Sequence, residues 1–224
     1  MAEDGFDAMI LYTNFIRSGA VSFITGFSPY WADGILIVPR EGETLFVTTL
    51  SKRVAEWIQT VKPLGALTNG PAPGAIAGKH LAAMSGVKRI AVLELDAFPA
   101  GLYDDLASAL PACEIADGSE SFAHVRCRLD EEGRRLLERA DAIARDALAA
   151  IDADAANVGA AVGEAERQAR LRGAEEAYLA IAPDLDKDKR FLRLSGPLPL
   201  SPRFAVRATI AYKGAWVKIG RAHV

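Results

Sequence analysis

Arg207 and Lys218 are two cationic side chains that fall on neighbouring strands of one predicted hairpin. The stretch over residues 204–221 reads FAVRATIAYKGAWVKIGR, in which β-branched and apolar residues flank a turn at Lys213 and Gly214. Cations on adjacent strands can hold an anionic ligand or a carboxylate of a partner subunit. The alternative is an ordinary amphipathic hairpin with both side chains in solvent, and the hairpin alone does not decide between the two.

Few other residues offer catalytic chemistry. The three histidines, His80, His124 and His223, are far apart in the sequence, and each is interpreted as a surface residue or a satisfied one. Residues 118–121 (GSES) precede His124 without a placed acid, so a polar surface loop is predicted there rather than a serine hydrolase. The sequence contains no phosphate-binding loop, no HExxH and no GxSxG motif. The tryptophans are predicted to be core or interface anchors rather than a ligand cage: Trp31, Trp57 and Trp216.

Composition excludes several classes of partner. The net charge of -3 and the pI near 5.7 predict neither nucleic-acid binding nor attraction to an anionic membrane. No apolar run approaches the roughly 20 residues of a membrane span, and the N-terminus is acidic where a signal peptide would be basic. Cys113 and Cys127 form no metal pattern and are predicted to be reduced thiols of a cytoplasmic protein.

The first part of the chain, residues 1–126, alternates strand and helix signals as an α/β domain does. Residues 14–19 are interpreted as a helix or turn, and residues 21–27 as running into a loop. Strands 34–38 and 44–48 are joined by a segment whose Gly42 suits a hairpin turn. The other predicted strands are residues 8–12, 89–93 and 113–116, and the predicted helices are residues 52–61, 75–84 and 102–110.

The second part, residues 127–224, begins with the clearest helix of the chain. Residues 130–151 place Leu136, Ile143 and Ala147 on one apolar face, with Asp130 as the N-cap. A second helix over 162–172 ends at Gly173. A strand begins near 178–181, and a charged turn and a proline-rich loop lead from it to the hairpin.

These patterns resemble the creatinase/prolidase/aminopeptidase P (pita-bread) superfamily. In the first part, SFITGF followed by W-x-D-G-I-L-I-V-P and a glycine-containing hairpin is similar to the N-terminal domain of that family. The resemblance implies a ribonuclease-H-like domain with a mixed sheet and no catalytic residues of its own, which takes part in dimerisation. The expected fold class is α/β: this domain followed by an incomplete α+β pita-bread half-domain.

The hairpin resembles the first metal-ligand hairpin of the same superfamily, with Tyr212, Gly214 and Arg221 in register. In that register the two ligand aspartates fall at Arg207 and Lys218. Because two cations repel a divalent ion, the resemblance implies no metal and no cofactor here. It also implies that Trp216 and Arg221 are substrate-pocket wall residues. The family's pocket histidine has no counterpart between 195 and 204, and the second half, with its histidine and two glutamate ligands, is absent after residue 218.

Two functional hypotheses follow from the resemblance. The first is a non-catalytic creatinase/Xaa-Pro peptidase-like protein, a pseudoenzyme that serves as a binding or dimerisation module for a small anionic or peptide-like ligand. The second is a metal-independent C–N hydrolase of the creatinase type, or a fragment of an Xaa-Pro dipeptidase or aminopeptidase P-like hydrolase, with catalytic residues supplied by absent sequence. A homodimer is expected in either case, because the apolar surface left by a missing half-domain must be covered. The substrate, and whether the chain is an enzyme, stay open.

Overall fold

The computed structural model describes residues 1, 3–27, 32–61 and 64–223, except for the side chain of Val61. Trp31, expected to be a core or interface anchor, lies outside these residues. By their contacts the residues form two compact units, Met1–Arg128 and Leu129–Val224. The division into domains 1–126 and 127–224 stays a prediction.

A six-stranded mixed sheet forms the first unit. Its strands are β1 (Ala8–Thr13), β2 (Gly34–Pro39), β3 (Leu45–Thr48), β4 (Ala66–Asn69), β5 (Arg89–Val92) and β6 (Glu114–Asp117). The spatial order is β4-β3-β2-β1-β5-β6. Strand β2 is antiparallel to both β1 and β3, whereas the pairs β1–β5, β5–β6 and β3–β4 are parallel. Consecutive residues Ile10 and Leu11 of β1 are fully buried on opposite faces, as expected for a central strand covered on both sides.

Helices cover both faces of this sheet. The first unit contains α1 (Gly19–Thr25), α2 (Lys52–Val61), α3 (Pro73–Ala83), α4 (Ala100–Ala109) and α5 (Ser119–Arg126). Leu81 of α3 and Leu106 of α4 pack with Ile10 on one face. On the other face α1, α2 and α5 pack against Leu11. The predicted α/β class with a mixed sheet is therefore confirmed for this unit.

Some local predictions for the first unit were wrong. Residues 21–27, interpreted as running into a loop, lie mostly in helix α1, which begins at Gly19. The turn allowed for residues 14–19 is present, because the Asn14 side chain accepts hydrogen bonds from the backbone N–H groups of Ile16 and Arg17. The segment predicted to be a polar loop near Ser119 is helix α5, anchored by buried Phe122. Strand β4 was not predicted. Trp57 is 55% exposed, so it is not a core residue.

Two helices packed on one face of a three-stranded antiparallel sheet form the second unit. Its elements are α6 (Glu131–Ala149), α7 (Val158–Leu171), β7 (Glu176–Ala182), β8 (Phe204–Tyr212) and β9 (Ala215–His223). The predicted N-cap of α6 is confirmed, since Asp130 Oδ1 accepts a hydrogen bond from the Gly133 N–H at 2.7 Å. Ile143 of α6 and Ala165 of α7 pack against the face of the sheet that carries Val206.

The predicted hairpin is also confirmed. Strands β8 and β9 pair from Phe204↔His223 to Tyr212↔Ala215. Lys213 and Gly214 form the turn with φ angles of 46° and 78°, the left-handed pair that matches the twist of two-residue hairpins. No described helix in either unit is long and apolar enough to cross a membrane.

Candidate functional site: a cationic and aromatic sheet face

Arg207 and Lys218 lie on the same face of the sheet in the second unit. Arg207 pairs with Gly220 and Lys218 pairs with Thr209, so the two cations are diagonal neighbours on adjacent strands, roughly 7–8 Å apart. Side chains alternate between the two faces of a strand. Because Val206 and Ala208 face the helices, Arg207 and Lys218 project from the opposite, outer face. The structure thus brings the two predicted residues together.

The residues that flank Arg207 across the sheet are small. Ala180 of β7 and Gly220 of β9 are its partners across the sheet. Arg207 itself is half-buried and Lys218 is exposed. In the described part of the chain neither residue forms an ion pair, so both charges are available to a ligand.

Aromatic rings lie beside these cations. The rings of Tyr178 and Trp216 are stacked, with centroids 5.9 Å apart and an interplanar angle of 6°. The Arg193 guanidinium lies 4.4 Å from the centroid of the Tyr178 ring. The Arg207 guanidinium in turn lies 4.9 Å from the centroid of the Phe191 ring. Such contacts orient a guanidinium while leaving its N–H groups free for an acceptor. We refer to the side chains of Tyr178, Phe191, Arg193, Arg207, Trp216 and Lys218 together as the cationic–aromatic face.

The segment between β7 and β8 supplies part of this face. Leu192 exchanges two backbone hydrogen bonds with Ile181, at 2.8 and 3.0 Å, which fixes its neighbours Phe191 and Arg193 above the sheet. The same segment is held at α7, where the N–H of Gly159 donates to the carbonyl of Gly196 at 2.8 Å. Sequence reasoning missed Phe191 and Arg193, because a loop returning to a sheet leaves no periodic signal. The alternation of EAYLAIA could have placed Tyr178 opposite the buried residues of β7.

Arg221 does not join the cationic–aromatic face. It pairs with Val206, whose side chain faces the helices, and its Nη1 donates to the carbonyl of Leu148 in α6 at 3.5 Å. An odd spacing from Lys218 puts it on the other face of the strand. Of the two proposed wall residues, Trp216 therefore lies with the cations and Arg221 does not.

The histidine of the second unit, His223, lies on the opposite face of β9 from Lys218. His223 is 7% exposed and stacks on Phe204, with ring centroids 4.4 Å apart. Its Nε2 has no hydrogen-bond partner among the described residues, so the prediction of a surface or satisfied histidine was wrong. Burial, and then the charge of Arg221, lowers the pKa of His223. His80 and His124 are exposed in the first unit.

Acidic groups also lie near the cationic–aromatic face, since Glu166 lines a cavity together with Tyr178 and Arg193. Glu176 is on the same side of β7 as Tyr178, and its carboxylate lies 3.9 Å from the guanidinium of Arg170. Across the described ranges no group of three or more His, Cys, Asp or Glu side chains could hold a metal ion. What the arrangement offers chemically is a set of cations and ring faces that suits an anion.

Comparison with known proteins gives a consistent family and fold. The sequence profile of the creatinase/prolidase N-terminal domain matches residues 1–128. No curated protein sequence matches the chain. Among solved structures, the prolidase from Pyrococcus horikoshii OT3 matches with a TM-score of 0.74 at 16% identity, over 99% of this chain and 61% of the prolidase.

Two further structures have the same fold. The prolidase from Pyrococcus furiosus has a TM-score of 0.74 at 15% identity, over 99% of this chain and 67% of its own. The Xaa-Pro dipeptidase from Bacillus anthracis has a TM-score of 0.73 at 17% identity, over 99% of this chain and 61% of the dipeptidase. The chain thus spans 61–67% of these proteins. This confirms the predicted fold class of an N-terminal domain followed by part of a second domain.

Proposed function

Because the chain belongs to the creatinase/prolidase family, we propose that it is a non-catalytic member whose second unit binds a small anionic or peptide-like ligand instead of a divalent metal ion. The resemblance of the hairpin to the family places the two cations, Arg207 and Lys218, at the positions of the family's metal ligands. On this proposal the chain is a binding module rather than a hydrolase.

One observation carries the proposal: Arg207 and Lys218 share the outer face of the sheet on adjacent strands. The resemblance puts a pair of metal-binding carboxylates at these two positions. With cations at both positions, the site repels a divalent metal ion and attracts an anion. A negatively charged group of a ligand, which would otherwise bind the metal ion, therefore binds the two side chains directly. A carboxylate can accept hydrogen bonds from the Arg207 guanidinium and from Lys218 Nζ, each of which is stronger than a bond between neutral groups.

Calorimetric titration with acetate, succinate and N-acetylglycine tests this proposal. Binding of at least one of them should weaken by about tenfold or more in Arg207→Ala and in Lys218→Ala, since a hydrogen bond to a charged group contributes about 1.5–3 kcal/mol. Lys189→Gln is the matched control, because Lys189 is an exposed cation outside the cationic–aromatic face. The absence of heat with all three ligands, or equal affinity in the variants, would rule out the anion site.

The alternative is a metal-independent hydrolase of the creatinase type. A hydrolysis screen with proline-containing dipeptides and creatine, together with metal analysis of the purified protein, separates the possibilities. Hydrolysis without metal would favour the alternative over a binding module. Stoichiometric manganese, cobalt or zinc would show that Arg207 and Lys218 do not replace metal ligands.

We also propose that the protein is a homodimer and lies in the cytoplasm. Large apolar side chains are exposed in the first unit, among them Ile16 at 85% and Phe23 at 43%, which favours self-association. Cys113 and Cys127 are free thiols, which suits a reducing compartment. Sedimentation equilibrium should give twice the chain mass, and cell fractionation should recover the protein with cytoplasmic markers. A strictly monomeric species would contradict the first expectation, and recovery with secreted proteins would contradict the second.

A further inference from the structure

A cavity of about 360 Å³ lies in the first unit, at the carboxyl ends of three neighbouring parallel strands. Its lining comes from the segments that directly follow β1, β5 and β6: Arg17 and Ala20 after β1, Leu93 and Glu94 after β5, and Phe122 of α5 after β6. This volume is in the range of small-molecule sites. This cavity is in a different unit from the cationic–aromatic face, so an inference about it does not rest on the proposed function.

The topology explains why an opening forms there. After β1 the chain enters α1, which packs on the face of Leu11, and after β5 it enters α4, which packs on the opposite face with Ile10. Neighbouring parallel strands whose connections leave toward opposite faces create a crevice at their carboxyl ends, and this is the usual ligand position in open α/β sheets.

Hydrogen bonds hold the backbone at the rim of the cavity. Glu94 has a φ of 53°, a left-handed conformation that is unusual for a residue other than glycine. Its N–H donates to Ser119 Oγ at 2.9 Å, and Ser119 Oγ donates to Asp117 Oδ1 at 2.8 Å. These bonds tie the end of β5 to the end of β6, so the two sides of the cavity keep their spacing.

The charges at the cavity favour a single negative charge in the ligand. Arg17 is already engaged: its Nη1 donates to the carbonyl of Ala97 at 2.5 Å and lies 3.9 Å from the Glu94 carboxylate. Arg126 also lines the cavity, and within the described residues it has no carboxylate partner; its guanidinium lies 6.0 Å from the centroid of the Phe23 ring. An unpaired guanidinium beside an apolar wall is a complement for a carboxylate that carries an apolar tail.

The wall that would receive such a tail is apolar and aromatic. Phe98 and Phe122 are 8% and 6% exposed, respectively, and both line the cavity together with Leu93. Burying a ring or a branched alkyl group against them removes apolar surface from water. We propose that this cavity binds a small monocarboxylate with a compact apolar tail, its carboxylate at Arg126 and its tail against Phe98 and Phe122.

Titration of the full chain with phenylacetate, followed by calorimetry and by amide NMR, tests the proposal. The amide resonances of Glu94, Ser119 and Ala123 should shift, and Arg126→Gln should weaken binding by about tenfold or more, since the contact is a charge-assisted hydrogen bond. Arg53→Gln, which changes an exposed arginine of α2 outside the cavity, should leave the affinity unchanged.

Two further ligands separate the contributions of charge and tail. Phenylacetamide keeps the ring and removes the charge, and acetate keeps the charge and removes the ring, so both should bind at least about tenfold more weakly than phenylacetate. No shift at the named amides, or equal binding by Arg126→Gln, would overturn the proposal. Equal binding of phenylacetamide or of acetate would overturn it as well. Arg207→Ala should leave phenylacetate binding at this cavity unchanged, which keeps the test separate from that of the second unit.

Discussion

Replacing Gly159 by alanine should destabilise the second unit, because this glycine is where α7 touches the segment that carries Phe191 and Arg193. A methyl group at residue 159 would lie 2.8 Å from the carbonyl oxygen of Gly196 and 3.0 Å from its nitrogen. Both neighbours are backbone atoms, so the loop must move and the hydrogen bond from the Gly159 N–H must weaken. Overpacking of this kind costs about 1–3 kcal/mol.

The matched control lies one turn further along the same helix. A methyl group at Gly163 would meet no atom within 4 Å, so Gly163→Ala should stabilise the unit by about 0.5–1 kcal/mol through helix propensity alone. The two variants make the same chemical change, and the difference between their free energies of unfolding therefore reports the contact with Gly196.

Urea denaturation followed by tryptophan fluorescence measures this difference. The variants are made in a background in which Trp216 is the only tryptophan of the three in the chain, so that the signal reports the second unit. Gly159→Ala should unfold at a lower urea midpoint than the parent, and Gly163→Ala at a higher one. Equal midpoints for the two variants would refute the argument, because they would show that the loop does not press on α7 at residue 159.

Two other expectations follow from the structure. Tyr178→Leu should remove the stack on Trp216 and cost about 0.5–1.5 kcal/mol; acrylamide should then quench Trp216 more strongly, and unchanged quenching would contradict the stacked geometry. The backbone N–H groups of Lys88 and Arg89 lower the pKa of Asp7. The Asp7 carboxylate therefore stabilises the first unit fully above the unfolded-state pKa near 3.8, and this stabilisation is lost as the pH falls through the lower folded-state pKa. Urea midpoints of the parent should therefore fall more steeply from pH 5 to pH 3 than those of Asp7→Asn, and parallel curves would contradict this.

The parts of the fold that were predicted correctly are those with a local signal. The period of Ile143 and Ala147 in α6 marks an amphipathic helix by itself, and the Lys213–Gly214 turn marks the hairpin through its backbone requirement. The N-terminus of α7 was placed too late, because the sequence window began at the apolar Val162 and missed the cap at Asn157, whose Oδ1 accepts a hydrogen bond from the Ala160 N–H.

The parts that were missed depend on distant residues. Strand β4 has only four residues, from Ala66 to Asn69, and exists because β3 pairs beside it. Helix α5 has a polar start, and it is held by Phe122 in the core of the first unit. The aromatic half of the cationic–aromatic face could not be predicted for the same reason, since Phe191 reaches Arg207 only after the loop returns to the sheet.

Strand β9 is an edge strand of the three-stranded sheet and is nine residues long, or roughly 30 Å at about 3.3 Å per residue. Its outward N–H and C=O groups are a template on which another extended chain can add. Lys218 and Arg221 place like charges along that edge, so the cations of two copies would repel each other if the copies approached edge to edge. Salt weakens this repulsion by shortening the Debye length to about 3 Å at 1 M, so the ionic strength of a preparation governs how strongly these charges keep separate molecules apart.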